Sequence, residues 1–276
     1  MSGDLPPVPW THAYQEVRQR SLREALNDGG VLERFATGAP LPDGYGRGLD
    51  ERIVELPWCV AQLPVAPGRL LDAGSSLNHA LLLDLPQLSR MRMHVVTLAA
   101  EPGFLWQPGV SYVFEDLRAL PFADGLYDAV VSISTIEHVG CDNTYYVGGA
   151  ASPEARLDDF VLAVREMRRV LKPGGVLLMS VPYGAHQFHG AFQQFDRQRL
   201  SAAEEAFGPA EVTESFFRLS QGGWQRATDE ACAGSVYVQW VADLMRTGRW
   251  PEEPRLEPDY AAAARAVACV RIMKPA

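Results

Sequence analysis

Two rhythms of apolar and polar positions run along this chain. From Tyr127 to Ile136 the residues are almost continuously apolar and rich in Val and Ile, the pattern of a parallel strand covered on both faces. Asp124 and Gly125 supply a turn before it. Val176 to Val181 repeats the pattern. Between the two, DDFVLAVREMRRVLKPGG sets Phe160, Val164, Met167 and Leu171 at helical spacing, with Arg165, Arg168 and Arg169 toward the end where the helix dipole favours cations. Pro173, Gly174 and Gly175 stop that helix. Strand, helix and strand in this order predict a βαβ crossover and hence an α/β domain with a parallel sheet.

The flanks read differently. Residues 1–66 carry three helical patterns, HAYQEVRQRSLREAL, VLERFA and LDERIVELPWCVAQL, separated by Gly and Pro clusters. They predict a helical N-terminal cap ahead of a larger domain over 67–276. Such a cap covers a ligand cleft or simply pads the sheet, and both readings stand. Toward the other end, Glu211 to Leu219 and Ala264 to Met273 have strand character. The long segment between them bears Trp224, Tyr237, Trp240 and Trp250, and 220–260 reads as a lid-like insertion or an oligomer interface.

Composition narrows the function. The chain has 276 residues, 47% of them hydrophobic, enough for one large domain with additions. A net charge of -9 argues against nucleic acid as a partner. Cys59, Cys141, Cys232 and Cys269 are scattered and make no C-x-x-C pair, which fits reduced thiols better than a disulfide framework. No signal-like segment opens the chain and no apolar run approaches the roughly 18 residues of a membrane span, so a soluble, cytoplasmic protein without membrane partners is expected. A homo-oligomer is left open.

The elements from Val113 to Gly175, VFEDLRALPFADGLYDAVVSISTIEHVG and then REMRRVLKPGGVLLMSVP, resemble the central half of class I S-adenosylmethionine (SAM) dependent methyltransferases of the type 11 kind. The LPF turn, the YD pair, EHV and LKPGG stand in that family's order. The resemblance implies a Rossmann-like seven-stranded sheet with helices on both faces. An antiparallel hairpin of the last two strands would close it, interrupted here by the 220–260 insertion. It also implies SAM as cofactor and a small-molecule substrate, methylated on O or N. GRLLDAGSSLNH looks like the family's first glycine motif. Asp72 and Gly74 match, Ser75 follows, and Ser76 and Asn78 stand where further glycines are usual. The acid that takes the ribose hydroxyls at the end of the second strand would be Glu101, since Ala99 occupies the aligned position. Asp116 would accept the adenine amino group, with Leu117 against the ring, and Ser134 would lie at the cofactor beyond the fourth strand. A turn acid capping a short helix is the alternative for Asp116.

Methyl transfer to a hydroxyl benefits from a base, and His138 is placed for it by the EHV motif. In the loop PYGAHQFHGAFQQFD, the residues His186, His189 and Gln193 are candidate substrate contacts; the amides among phenylalanines suit a polar ring such as a sugar, or the rings merely pack the loop down. These histidines with Glu137, His138 or Asp142 offer a weak pattern for a metal, and none is assigned. Two other readings remain beside a small-molecule methyltransferase of specialised metabolism: a metal-assisted enzyme on the same fold, and a non-catalytic methyltransferase-like binding subunit.

Overall fold

The computed structural model describes residues 5–100, 105–144, 146–147, 153–252 and 254–276. Its centre is an eight-stranded sheet formed by β1 (Arg69–Ala73), β2 (Arg92–Thr97), β3 (Val110–Phe114), β4 (Tyr127–Ile133), β5 (Leu171–Pro182), β8 (Glu211–Ser220), β9 (Gly223–Ala227) and β10 (Ala266–Met273). The order across it is β3-β2-β1-β4-β5-β10-β8-β9. The first five strands are mutually parallel, and β10 is antiparallel to both β5 and β8. The seven strands and closing hairpin that the resemblance implies are present. An eighth extends them, because Gln221 and Gly222 turn the chain back and GWQRA pairs antiparallel along β8.

Strand β4 has six of its seven residues buried, which is what its continuous apolar run demands of a strand between two layers. Two cores flank the sheet. On one face α6 (Phe160–Val170) and α7 (Arg197–Phe207) bury Phe160, Val164, Met167, Leu200 and Phe207 against Val130, Leu177 and Met179. The α6 helix stops at Val170, one residue before Leu171, which already belongs to β5. On the other face lie α1 (His12–Asn27), α2 (Gly29–Thr37) and α3 (Arg52–Gln62), packed with the short turns α4 (Ala80–Leu83) and α5 (Pro86–Ser89) over Leu70, Val95, Val131 and Leu178. Helix α2 starts on the Asp28 side chain, which accepts from the backbone N–H of Gly30 and Val31, and ends on left-handed Gly38.

The insertion between β8 and β10 divides in two. Its beginning, strand β9, belongs to the sheet and to the cap: Trp224 is fully buried, its backbone N–H donates to Tyr45 O (2.8 Å) and its indole N–H donates to Leu49 O (3.0 Å). Trp224 is therefore a core residue, not a lid aromatic. Beyond α8 (Asp229–Cys232), the remainder with α9 (Gln239–Thr247) lies against the loop after β5. There β6 (Gln187–Phe188) and β7 (Gln193–Gln194) form a small antiparallel pair. Ala185 N–H donates to Ser235 O, Tyr237 N–H donates to the Gln187 side chain, and Tyr237 packs on Phe192 and His189 with ring centroids 4.8 and 5.7 Å apart. Trp250, at the far end, is half exposed. All four cysteines are buried and free. No helix among the described residues is long and apolar enough to cross a membrane.

Candidate active site

The carboxyl ends of β1, β4 and β5 converge beneath α3, the place where open α/β sheets take ligands. Asp72, fully buried, does not face that space. Its two oxygens accept from the backbone N–H of Ser76 (3.1 Å) and Leu77 (2.8 Å), so its role is to hold the loop after β1. The Ser76 hydroxyl donates to Ile133 O (2.7 Å), tying this loop to the end of β4. Asn78 accepts from the Tyr112 hydroxyl on β3 (2.8 Å). Ser76 and Asn78 thus fix by side-chain bonds what further glycines would leave to backbone freedom. Gly74 is required by its neighbour: at φ +119° its Cβ would fall inside the Thr135 side chain. Ser75 and Ser134 both adopt positive φ without being glycine, at +62° and +40°. Two of the four non-glycine residues with positive φ among the described residues thus sit at these strand ends, the others being Trp10 and Tyr260. After β1 the chain makes only the four-residue turns α4 and α5, so no long helix stands behind this loop to offer its N-terminus.

Removing Asp72 exposes the dependence. Asp72→Ala strands two backbone donors, and each unsatisfied buried group costs about 1–3 kcal/mol. The variant is expected to unfold at clearly lower urea than the parent, as read by tryptophan fluorescence.

From above, α3 sends charged groups into the same space, although it is otherwise an apolar helix with eight consecutive buried residues from Ile53 to Val60. Glu55 is wholly buried and accepts from the hydroxyls of Ser134 (2.6 Å) and Ser180 (2.8 Å), while its other oxygen takes Arg52 (2.8 Å). Nearby, Arg18 and the Tyr14 hydroxyl both bind Asp50 (2.5 and 2.7 Å). Ser134 thereby anchors the cap to the sheet. Arg52 keeps 28% of its side-chain surface accessible, and Gly74, Ser76, Thr135 and His138 remain partly accessible while their neighbours are buried. These residues mark a crevice between cap and sheet. Its loop, its strained backbone and its unfilled hydrogen-bonding capacity at Glu137 fit the methionine end of a SAM molecule.

Glu51, at the N-terminus of α3, accepts from Ala264 N–H (3.0 Å). Burial first, then repulsion from Asp50 and Glu55, pushes its carboxyl up to about 8. Because the folded state holds this proton above the ordinary carboxylate range, the associated stability is full below about pH 4.5 and declines as pH rises through 8. Glu51→Gln, which still accepts from Ala264, is expected to match the parent at pH 4.5 and to be more stable at pH 9. The difference, on the order of a few kcal/mol, is read from urea midpoints at the two pH values.

The turn Ile136–His138 follows β4. His138 Nδ1 lies 2.8 Å from Ala191 O, and since a carbonyl only accepts, the proton sits on Nδ1 and the lone pair on Nε2. Burial lowers its pKa to about 4 despite this bond, and Arg52 adds to the lowering. Tyr146 meets the imidazole edge-on at 5.5 Å and Phe192 lies at 5.6 Å. Beside it, His189 is stacked on Phe192 at 4.7 Å. The Nε2 atoms of His189 and His186 are both buried without a hydrogen-bond partner among the described residues. Gln193 differs from its sequence-based assignment. It is fully buried, its amide donates to Leu157 O (2.6 Å) and its oxygen accepts from Arg199 (2.9 Å), so its bonding capacity is spent on the scaffold.

On the adenine side, Asp116 is also occupied. Arg118 clamps both its oxygens at 2.6–3.0 Å and extends to Glu154 and Asp159 at 2.7 Å. Burial would raise the carboxyl, but the bonds from Arg118 outweigh it and hold it below its usual range. Its Oδ1 also accepts from Arg118 N–H (2.8 Å), the turn-acid arrangement, and an adenine amino group would have to share it. Leu117 beside it is buried. Glu101 lies outside the described residues. Among the described residues no group of three or more His, Cys, Asp or Glu is placed to hold a metal ion.

The sequence reading passed over Arg18, Arg52 and Glu55. The trace of Arg52 and Glu55 is the charged cluster LDERIVE at the start of an otherwise apolar helix, while Arg18 lies on α1.

Comparison with known proteins agrees with this geometry. Residues 85–179 match the family model described as a methyltransferase domain. No curated protein matches the sequence. Among solved structures, the chain is similar to the [4+2]-cyclase SpnF, with 18% identity, a TM-score of 0.48 and 99% of each chain covered. It is also similar to a 1,6-didemethyltoxoflavin-N1-methyltransferase from Burkholderia thailandensis, at 14% identity and a TM-score of 0.46, covering 100% of this chain and 94% of that one. A third is the putative methyltransferase complexed with the Trm112 activator of Haloferax volcanii, at 15% identity and a TM-score of 0.46, covering 80% and 89%.

Proposed function

We propose that this protein methylates an oxygen or nitrogen atom of a small molecule, with His138 as the base. Bound SAM supplies an electrophilic methyl carbon. The loop Gly74–Ser76, held by Asp72, and the Ser134 turn cradle its methionine end, Arg52 offers a cation beside it, and Asp116 and Leu117 receive the adenine. The acceptor enters between the loop after β5 and α9, where His186 and His189 have unspent hydrogen-bonding capacity.

The observation that carries the reading is the fixed tautomer of His138. Its Nδ1–H is consumed by Ala191 O, which leaves the lone pair on Nε2 as the proton acceptor. Nε2 would take the proton that the acceptor atom loses as the methyl carbon exchanges its bond to sulfur for a bond to that atom. The low pKa of His138 keeps the imidazole neutral beforehand. The aromatic walls formed by Phe192, Tyr146 and Tyr237 exclude water and suit a ring-bearing acceptor such as a sugar or a specialised metabolite. The test is a screen of hydroxylated and amino sugars and aromatic metabolites with radiolabelled SAM. Transfer of label to any of them that is lost in His138→Ala supports the assignment. Tight SAM binding with no transfer to any acceptor class favours a binding subunit.

A further inference from the structure

We propose that Glu137 is the charge sensor of the cofactor crevice: its carboxyl gives up a proton to solvent when the sulfonium of SAM arrives and regains one when the neutral thioether product replaces it, so that the protein holds SAM more tightly than S-adenosylhomocysteine. This rests on the methyltransferase reading above.

Glu137 is 1% exposed, and its Oε2 has no hydrogen-bond partner among the described residues. A buried acceptor left this way costs stability and calls for an explanation in function. The charged and titratable groups that act on it come from the cap, the insertion and its own turn. Arg52 attracts it, Glu51 and Glu55 repel it, and Tyr237 and Cys141 lie within electrostatic reach. His138 is its neutral neighbour. From the other core, Phe160, Ala163 and Val164 of α6 are apolar, and Gln193 is consumed by its own bonds.

Among the described residues the ion pairs around it are already matched. Arg18 holds Asp50 and Arg52 holds Glu55, which leaves Glu51 and Glu137 there as carboxyls without a salt bridge. Glu51 spends an oxygen on Ala264 N–H. Glu137 has only its own backbone beside the carboxyl and leaves Oε2 unpartnered among the described residues, and burial pushes the carboxyl well above its ordinary value. A cation entering the crevice would convert that carboxyl into half of a buried ion pair. Substrate and product forms of the cofactor differ at their reacting end by a methyl group and one positive charge. A carboxyl that follows this charge favours release of the product.

Isothermal titration of SAM and S-adenosylhomocysteine into the full chain, without any acceptor, tests this between pH 6 and 9 in buffers of different ionisation enthalpy. SAM is expected to bind about tenfold or more tighter at pH 8, to release close to one proton, and to tighten as pH rises. The homocysteine form should show neither effect, and E137Q should bind both alike with no proton release. Equal affinities without proton release in the parent overturn the proposal, and so does a SAM preference that survives in E137Q. The parent's own comparison decides if E137Q does not fold. An acceptor amine as the intended cation would show as proton release only after an amine is added, which also overturns it. Binding of neither compound overturns the methyltransferase reading itself.

Discussion

His138→Ala is expected to lower kcat by about 10²–10⁴, the usual contribution of a positioned general base, while the dissociation constant for SAM changes little. Among the described residues the imidazole meets the scaffold through Nδ1 and Ala191 O and through rings, so its removal leaves the Asp72-held loop and the Glu55 anchor intact. The pH profile separates a base from a wall residue. With its pKa near 4, the proton-accepting form is fully present at neutral pH, and turnover attributable to it should fall only as pH drops toward 4. Stability follows a different window. The unfolded chain protonates this histidine near 6.5 and the folded chain does not, so its contribution is lost progressively as pH falls from about 6.5 to 4. A His138→Ala enzyme with parental kcat would reassign the acceptor's proton to His186, His189 or water.

Gly74→Ala should be severely damaging to the loop after β1. Its φ of +119° is foreign to side-chain-bearing residues, and the new carbon would overlap three atoms of Thr135, so no rotation of that side chain relieves the clash. Backbone strain and overpacking together cost about 3 kcal/mol or more. Melting temperature and SAM affinity should both fall sharply. The double change Gly74→Ala with Thr135→Gly restores the space but not the backbone angle, and is expected to recover part of the stability. Parental stability in the single variant would mean that β1 and β4 do not approach as closely as they do here.

How much of this was legible in the sequence depends on whether a feature is local. The strand at Tyr127 and helix α6 declare themselves through apolar spacing and turn residues; the structure ends the strand at Ile133 rather than Ile136, stops α6 at Val170 and carries LKPGG into the start of β5. The last two long strands were equally plain. Strand β9 was not, because GWQRA is short and mostly polar, and its single large apolar residue reads as a lid aromatic until Leu49 and Tyr45 are seen to bind it. Gln193 failed for a similar reason. An amide in a loop after a strand looks like a ligand contact, and only its burial against Leu157 and Arg199 shows otherwise. Charged groups contributed by the cap were the largest omission. A helix pattern tells which positions are apolar, but nothing in the spacing of Arg52 and Glu55 says that they point inward to serines 79 and 125 residues away.

The bond from Trp224 to Leu49 joins positions 175 residues apart. During synthesis at about 5–20 residues per second, Leu49 is made some ten to forty seconds before the tryptophan that will lean on it. Helices α1 to α3 must therefore wait, with the apolar face of α3 uncovered, while the whole nucleotide half is built behind them. The cap precedes in sequence the strands it packs on, so it completes its own packing only after they are made.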